Sequence, residues 1–269
     1  MNCVVCGTEM TVVPGEEQKI NHPSCPLFAE PFDENPEARQ LRDELLTIIL
    51  DTAHNEPRSL QKELGPSDLG TPCDRRLVYK LTDTPIVNYG DPWAATVGSS
   101  VHSWLQKAFE QREGWITEQR LWIGEFIVGT ADLYRGGMVI DHKTVGTDVM
   151  KQIRKEGPPP EHVTQVQLYG YGYRLSGVPV DRVALAFYPR SGFIHNMYTW
   201  VGKYDESIAL AALNRIYYLA NKIFDLDLEN NPARFSEVSA VPHKCGFCPF
   251  YRPDMEPGEG ATNLGCPGK

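Results

Sequence analysis

The pattern of hydrophobic and polar positions predicts helices that precede, interrupt and follow a group of strands. Five segments repeat apolar residues every three to four positions, as amphipathic helices do: 33–54, 68–81, about 97–111, about 162–175 and 205–226. Five shorter segments rich in β-branched and aromatic residues are predicted strands: 115–121, 125–134, 138–144, 182–188 and 193–201. The run 151–160 and the tail after Pro242 are predicted loops. This order predicts an α/β fold with a mixed central sheet flanked by helices.

Two adjacent glycines at 136–137, between two predicted strands, indicate a two-residue hairpin. If they form the loop, Arg135 pairs with Met138, and Asp132 then faces Asp141 directly across the two strands. Like charges in that position are destabilising unless a cation lies between them. The hairpin therefore predicts a pair of apposed carboxylates on one face of the sheet.

Side chains alternate along a strand, so Lys143 is expected on the same face as Asp141. Two carboxylates and a lysine are the groups of a divalent-metal hydrolase, because Mg²⁺ and Mn²⁺ take oxygen ligands and keep waters, one of which can become the nucleophile. The alternative is structural: Asp132 caps a bend and Lys143 forms a surface ion pair with Asp141. The hairpin alone leaves both interpretations open.

Further polar residues stand at helical spacing around this hairpin. In order along the chain, the set is G-x3-H (Gly98, His102), G-x-x-D (Gly129, Asp132), D-x-K (Asp141, Lys143) and Q-x3-Y (Gln165, Tyr169). This order resembles the RecB-like branch of the PD-(D/E)xK nuclease superfamily, whose core is restriction-endonuclease-like. The resemblance covers about residues 65 to 268.

A second motif narrows the resemblance. Ser67, Cys73, Arg76 and Tyr79 stand in the order S-x5-C-x-x-R-x-x-Y. This is similar to the start of the iron–sulfur-containing nucleases of that branch, which include the CRISPR-associated RecB-like exonucleases and the AddB-type nuclease domain. In those proteins, one cysteine precedes the nuclease motifs and three follow them.

The resemblance implies roles for residues of this chain. It implies that Mg²⁺ or Mn²⁺ is bound by His102, Asp132, Asp141 and the backbone carbonyl of His142. Lys143 would position the attacking water. Gln165 and Tyr169 would contact the DNA strand, although Gln167 and Tyr171 have the same spacing and leave the register open. The implied activity is exonucleolytic hydrolysis of DNA from its ends in recombination, repair or replication.

Seven cysteines, an odd number, argue against a disulfide framework, and their C-x-x-C spacing favours metal. The resemblance implies a 4Fe–4S cluster on Cys73, Cys245, Cys248 and Cys266, with Zn²⁺ as the alternative at the same thiolates. The gap of 17 residues between the last two cysteines is longer than usual in that group. Either metal would close residues 67–269 into one nuclease domain.

The first 30 residues are predicted to form a zinc knuckle, followed by a helical linker over 31–66. Three thiols and an imidazole have the spacing of a structural Zn²⁺ site: Cys3, Cys6, His22 and Cys25. A segment this small needs a metal or a partner to fold, and the alternative is a disordered N-terminus. Its acidic surroundings favour docking of a protein partner.

Composition and charge set limits on partners. A hydrophobic fraction of 41% and a charged fraction of 23% are ordinary for a globular protein. The sequence has no run that could span a membrane and no signal-peptide pattern, so we expect a cytoplasmic protein without a membrane partner. The net charge is −9, but residues 1–64 hold 12 acidic and 5 basic residues, which accounts for −7 of it. The remaining chain is nearly neutral, which allows local basic patches for DNA.

The best candidates for DNA contact are Lys151, Arg154 and Lys155, in the predicted loop after the active-site strand, with Arg75 and Arg76 as weaker ones. The sequence thus predicts a metal-dependent DNA exonuclease that binds ends or single strands. The alternatives are a non-catalytic DNA-binding or recombination partner on the same fold, and a structure-specific endonuclease.

Overall fold

The computed structural model of the chain describes residues 11–12, 20–21, 36–55, 63–253 and 265–268. The chain forms two compact units, Met1–Ser59 and Leu60–Lys269. In the first unit, strands β1 (Thr11–Val12) and β2 (Ile20–Asn21) pair in antiparallel, and helix α1 spans Pro36–His54. The proposed zinc ligands Cys3, Cys6, His22 and Cys25 lie outside the described residues, so the zinc knuckle stays a prediction.

The second unit contains a five-stranded sheet and the remaining helices. The strands are β3 (Ile116–Trp122), β4 (Val128–Arg135), β5 (Met138–Val145), β6 (Arg182–Pro189) and β7 (Tyr198–Lys203). The helices are α2 (Pro66–Leu69), α3 (Asp74–Leu81), α4 (Trp93–Phe109), α5 (Thr147–Glu156), α6 (Pro160–Leu175) and α7 (Glu206–Leu226). Short 3₁₀ turns span Ile194–Asn196, Pro232–Glu237 and Cys245–Phe247.

The sheet has the order β3-β4-β5-β6-β7, in which only β5 and β6 run parallel. A parallel pair needs a crossover, and α5 and α6 provide it. The structure therefore confirms the predicted mixed α/β fold. None of the described helices combines the length and apolarity needed to cross a bilayer.

Strand β6 shows how helices cover both faces of the sheet. Its residues from Val183 to Tyr188 are all buried. Leu185 and Phe187 belong to the main core, to which α6 contributes Val166 and Leu168, whereas Ala186 and Tyr188 pack with α4. Since successive side chains point to opposite faces, α6 and α4 cover the two sides of the central strands.

Three sequence predictions of local structure are wrong. Residues 193–197, predicted as the start of a strand, form a loop with a 3₁₀ turn over Ile194–Asn196, because their side chains are all exposed and do not pack on the sheet, and β7 begins only at Tyr198. Residues 151–156, predicted as loop, belong to helix α5, because Met150 and Ile153 lie three positions apart and are both buried on one face. The predicted helix over 68–81 is broken into α2 and α3 by the segment 70–73. That break leaves Cys73 at the N-cap of α3, immediately before its first turn.

Candidate active site

The hairpin between β4 and β5 confirms the predicted register close to its turn. Both glycines at 136–137 have positive φ angles, of 53° and 81°, as a two-residue turn of this kind requires. Arg135 pairs with Met138, and the ladder continues to Leu133 opposite Ile140.

The next predicted pair, Asp132 opposite Asp141, is not formed as a ladder pair. Asp132 Oδ2 instead accepts a hydrogen bond of 2.6 Å from the backbone N–H of His142. The β3–β4 ladder also omits this position, because Glu118, which would oppose Asp132, has a φ of 49°. A left-handed residue within a strand interrupts pairing and bends the chain. Asp132 thus lies where the hydrogen-bond ladders to both neighbouring strands are broken. Its carboxylate accepts the hydrogen bond of the backbone N–H of His142 there.

A helix and a strand each bring a nitrogen-bearing side chain to the two carboxylates. His102 on α4 places Nδ1 3.3 Å from Asp132 Oδ1. Lys143 on β5 places Nζ 2.5 Å from Asp141 Oδ2. The side chains of Asp132 and Asp141 are only 10% and 2% exposed, so these are buried charges rather than the surface ion pair of the structural alternative.

The electrostatics of the two carboxylates differ. Burial, reinforced by the charge of Asp132 and opposed by Lys143, raises the pKa of Asp141 to about 6. Burial also disfavours the Asp132 anion, but the hydrogen bond and charge of His102 and the amide of His142 bring its pKa below the ordinary value. The pKa of His102 is lowered by burial, but the hydrogen bond and charge of Asp132 outweigh this and raise it above the usual range. Asp141 is therefore the carboxylate whose negative charge is least well compensated.

The side chain of His142 belongs to the α4 side of this region. Its Nδ1 lies 3.2 Å from the hydroxyl of Tyr188, and its ring packs edge-on against His102 at 5.8 Å between ring centres. Burial lowers the pKa of His142 to about 4, so the ring is neutral at physiological pH. Its backbone N–H, not its imidazole, forms the hydrogen bond to the Asp132 carboxylate.

Helix α6 places Gln165 and Tyr169 beside the sheet. The side-chain amide of Gln165 donates to the hydroxyl of Tyr169 at 3.3 Å, and both residues are buried. A Cβ at Gly129 would lie 3.0 Å from the Tyr169 ring, so the glycine permits this close approach. Gln167, the alternative in the sequence, is engaged elsewhere: its amide bonds the backbone of Lys203 and Asp205.

One polar neighbour of the site was missed by the sequence analysis. His162, on the first turn of α6, is half-buried with its ring 6.2 Å from that of Phe187, and its buried Nδ1 has no hydrogen-bond partner among the described residues. Burial, with the charge of Lys143, lowers its pKa to about 4. The available signal was its spacing, since His162 precedes Gln165 by three positions and so shares its helical face.

The basic residues predicted for DNA contact lie on helix α5, not in a loop. Lys151 is 3.0 Å from Asp148, and Lys155 is 3.9 Å from Glu156, in exposed pairs that contribute little energy. Arg154 donates to the carbonyl of Asn196 at 2.8 Å and lies over the ring of Tyr198. The weaker candidate Arg75 is wrong as a DNA contact, because its side chain is buried and hydrogen-bonded within the protein.

The four remaining cysteines line one cavity. They are Cys73, Cys245, Cys248 and Cys266. The walls of the cavity also include the imidazole of His243 and the rings of Tyr79 and Tyr251. The thiols are free rather than disulfide-bonded. Burial raises the pKa of Cys248 above the usual thiol value. Cysteines separated by more than 170 positions in sequence therefore line the same cavity, and the metal predicted for them stays a prediction.

Two hydrogen bonds reach the sulfur of Cys266. The guanidinium of Arg75 donates to it at 3.6 Å, and the backbone N–H of Gly268 does so at 3.4 Å. Arg75 also donates to the carbonyls of Ser236 and Val238, so it joins α3 both to the segment 236–238 and to Cys266 in the tail. As the side chains stand, no set of three or more His, Cys, Asp or Glu residues within the described ranges is arranged to hold a metal ion.

Comparison with known proteins gives only distant likenesses. No protein-family model and no curated protein sequence matches the chain. In structure, the chain is similar to an alkaline exonuclease (LHK-Exo) from Laribacter hongkongensis, with 14% identity and a TM-score of 0.46 over 61% of this chain and 89% of that one. It is also similar to the protein SSO0001, with 18% identity and a TM-score of 0.47 over 82% and 98%. A phage-related exonuclease from Haemophilus somnus 129PT gives 13% identity and a TM-score of 0.41 over 58% and 81%. Identities and TM-scores this low carry no conclusion about activity, which rests on the residues of the chain itself.

Proposed function

We propose that the chain is a Mg²⁺- or Mn²⁺-dependent exonuclease that hydrolyses DNA from its ends. The observation that carries this proposal is the convergence of His102, Asp132, Asp141 and Lys143 at a point where two strand ladders are broken. A buried site with two carboxylates of unequal pKa is uncommon as a purely structural feature, because buried charges cost stability unless they are paired.

The chemistry of the donors fits a hard divalent cation. Carboxylate oxygens, a backbone carbonyl and water are the ligands that Mg²⁺ and Mn²⁺ prefer. The residues that would hold the ion are His102, Asp132, Asp141 and the carbonyl of His142. When bound, such an ion neutralises charge on the phosphate and lowers the pKa of a coordinated water. The pKa of Asp141 is raised because the protein compensates its negative charge poorly, and a bound cation would supply the missing positive charge.

The other side chains would bind and orient the reactants. Lys143, held at Asp141, has two further N–H donors that could orient the attacking water or a phosphate oxygen. Gln165 and Tyr169, which are joined by a hydrogen bond between the Gln165 amide and the tyrosine hydroxyl, would contact the backbone of the DNA strand. Lys151, Arg154 and Lys155 would contact phosphates away from the reacting one.

The thiol cavity is proposed to hold a 4Fe–4S cluster, with Zn²⁺ as the alternative. Four cysteines line it, and Arg75 and the Gly268 amide already donate to Cys266, as groups around a thiolate do. The chemistry of the donor set fits either metal. Iron and acid-labile sulfide in a brown anaerobic preparation would identify the cluster, whereas stoichiometric zinc in a colourless one would identify the alternative.

Degradation of linear DNA with Mg²⁺ or Mn²⁺ tests the activity. We expect Lys143→Ala to lower the rate by at least about a hundredfold, as the loss of a group that stabilises developing charge does. Lys107→Ala, at an exposed position on the helix that carries His102, is the control and should retain the wild-type rate. Unchanged degradation by Lys143→Ala would contradict the proposal.

The same assay separates the two alternatives. DNA binding without Lys143-dependent hydrolysis would show a non-catalytic DNA-binding or recombination partner. Cleavage of closed circular DNA at a rate similar to that of linear DNA would show an endonuclease, since an exonuclease needs an end.

A further inference from the structure

The loop between β6 and β7 exposes two adjacent large apolar side chains. Every residue from Arg190 to Met197 is exposed, with Phe193 at 77% and Ile194 at 57%. An apolar pair held in water has no role in the core, so it points to contact with a partner. Neither Phe193 nor Ile194 belongs to a strand of the sheet or to the carboxylate site.

The loop begins beside the strand that carries the carboxylate site. Val145 on β5 pairs with Pro189 on β6, and the N–H of Arg190 donates to the carbonyl of Val145 at 2.8 Å. Lys143 precedes Val145 by two residues, which is about 7 Å along a strand. The loop therefore leaves the sheet at the strand ends next to Lys143, within a few nucleotides' length of a phosphate bound there.

Contacts with α5 hold the loop in place. Arg154 donates to the carbonyls of Asn196 and Met197, at 2.8 and 3.4 Å. Residues Ile194–Asn196 form a 3₁₀ turn, which fixes the backbone that follows Phe193. Phe193 is thus presented on a supported turn.

The charge around the loop is opposite in sign to that of the chain. Helix α5 carries Lys151, Arg154 and Lys155 against Asp148 and Glu156, and the loop adds Arg190. This gives four cations and two anions, or +2, in a protein of net charge −9. A basic surface next to an exposed aromatic ring suits single-stranded nucleic acid, whose phosphates need cations and whose bases stack on aromatic rings.

We propose that Phe193, supported by Ile194, is a stacking site for an unpaired nucleobase of the DNA strand whose phosphate lies at the Asp132–Asp141 site. This inference rests on the proposed nuclease function and specifies its substrate as an end with unpaired bases. The net charge of +2 on α5 and the loop favours DNA over a second protein, because an apolar protein contact gains nothing from this positive charge.

Binding of oligonucleotides tests the stacking site apart from catalysis. The probe is a single-stranded oligonucleotide with 2-aminopurine near one end, measured with Ca²⁺ in place of Mg²⁺. We expect Phe193→Ala to weaken binding by roughly 5- to 150-fold and to abolish the quenching of 2-aminopurine, since stacking contributes about 1–3 kcal/mol per base. Phe193→Trp should retain both, because tryptophan also stacks.

Phe224→Ala is the matched control, because Phe224 on α7 is 85% exposed and lies outside the loop. Equal binding and quenching by Phe193→Ala, Phe224→Ala and wild type would overturn the stacking site. So would a Phe193→Ala variant that changes self-association but not DNA binding.

A substrate without a nucleobase separates this inference from the proposed function. Hydrolysis of bis(p-nitrophenyl) phosphate should depend on Lys143 and remain unchanged in the exposed control Lys107→Ala. If Lys143→Ala leaves that hydrolysis unchanged, the nuclease proposal fails. If hydrolysis depends on Lys143 but Phe193→Ala binds DNA normally, only the stacking site fails.

Discussion

The carboxylate site and the thiol cavity are assembled in different ways. The carboxylate site takes its groups from α4, β4 and β5, which neighbouring elements of the sheet hold together, and each carboxylate is paired with a cationic or imidazole side chain. The thiol cavity joins Cys73 at the start of α3 to a tail that begins 172 residues later with Cys245.

That tail has little regular structure among the residues that are described. It is held by an isolated bridge between Tyr251 and Cys266, by a short 3₁₀ turn and by the hydrogen bonds of Arg75 and Tyr79. The fold therefore forms the first site without help from a metal, whereas the second site would need its metal to stabilise the fold around it.

The largest expected effect is the loss of the metal that we propose for the thiol cavity. Cys266→Ala, or chelation of the metal, should destabilise the protein by several kcal/mol, a part of the roughly 10–16 kcal/mol that a structural thiolate site provides. Thermal unfolding with metal analysis measures this. Removal of Mg²⁺ from the wild type is the control and should change the midpoint little, because the carboxylates remain paired. A stable, metal-free Cys266→Ala variant would contradict the contrast between the two sites.

The next effect tests the electrostatic cost of the carboxylate site. Lys143→Met should destabilise the protein by about 3–5 kcal/mol, because it leaves Asp141 buried and unpaired. Asp141→Asn should instead stabilise it by about 1–2 kcal/mol at pH 7.5, although it should abolish hydrolysis. A carboxyl whose pKa is raised to about 6 binds its proton more tightly in the folded state than in the unfolded state. Its ionisation therefore lowers the free energy of unfolding as the pH rises from about 4 through 6.

Denaturant unfolding of both variants at pH 7.5 measures these changes, with Lys107→Ala as the exposed control. If Asp141→Asn is less stable than the wild type at that pH, the carboxylate contributes to folding and the stated cost is wrong.

The sequence predicted the elements and much of the carboxylate site, because both follow from local patterns. The glycines at 136–137 set the hairpin register, and alternation placed Lys143 near Asp141. The sequence could not predict the break at Asp132, because the left-handed backbone at Glu118 has no glycine to indicate it. It also missed α5, because the prolines that follow at 158–160 suggested a loop while Met150 and Ile153 are buried only by tertiary packing.

A smaller effect concerns the pH dependence of stability near the site. His162 is half-buried, and this burial lowers its pKa to about 4, whereas an unfolded histidine titrates near 6.5. As the pH falls below about 6.5, the unfolded state binds a proton that the folded state does not yet bind. The stability that the neutral ring allows is therefore fully present above that pH, and the free energy of unfolding decreases as the pH falls toward 4. His162→Gln cannot be protonated and should retain about 1–2 kcal/mol more stability at pH 4.5, relative to pH 7.5, than the wild type does.

Unfolding curves at the two pH values measure the difference, with the exposed His195→Gln as the matched control. Equal acid sensitivity of His162→Gln and the wild type would show that the ring is not held neutral in the folded protein.

The smallest effect tests a direct contact between the two regions. Glu161 is adjacent to His162 on α6, and its Oε1 lies 2.7 Å from Lys244 Nζ and 3.5 Å from His243 Nε2. His243 lines the thiol cavity. Burial opposes the ionisation of Glu161, but the hydrogen bond from Lys244 outweighs it and holds the pKa of that carboxyl below its usual range. Glu161→Gln should destabilise the protein by only about 0.5–1 kcal/mol, because the pair is partly solvated.

That loss should appear in the tail rather than in α6. Hydrogen exchange in Glu161→Gln should become faster at residues 244–248, while the amides of α6 that pack on the sheet keep their protection. The difference between variant and wild type should vanish as the pH falls through the pKa of Glu161, since a protonated carboxyl no longer pairs with Lys244. If exchange instead accelerates equally along α6, the contact supports the helix itself, and the tail is held independently of it.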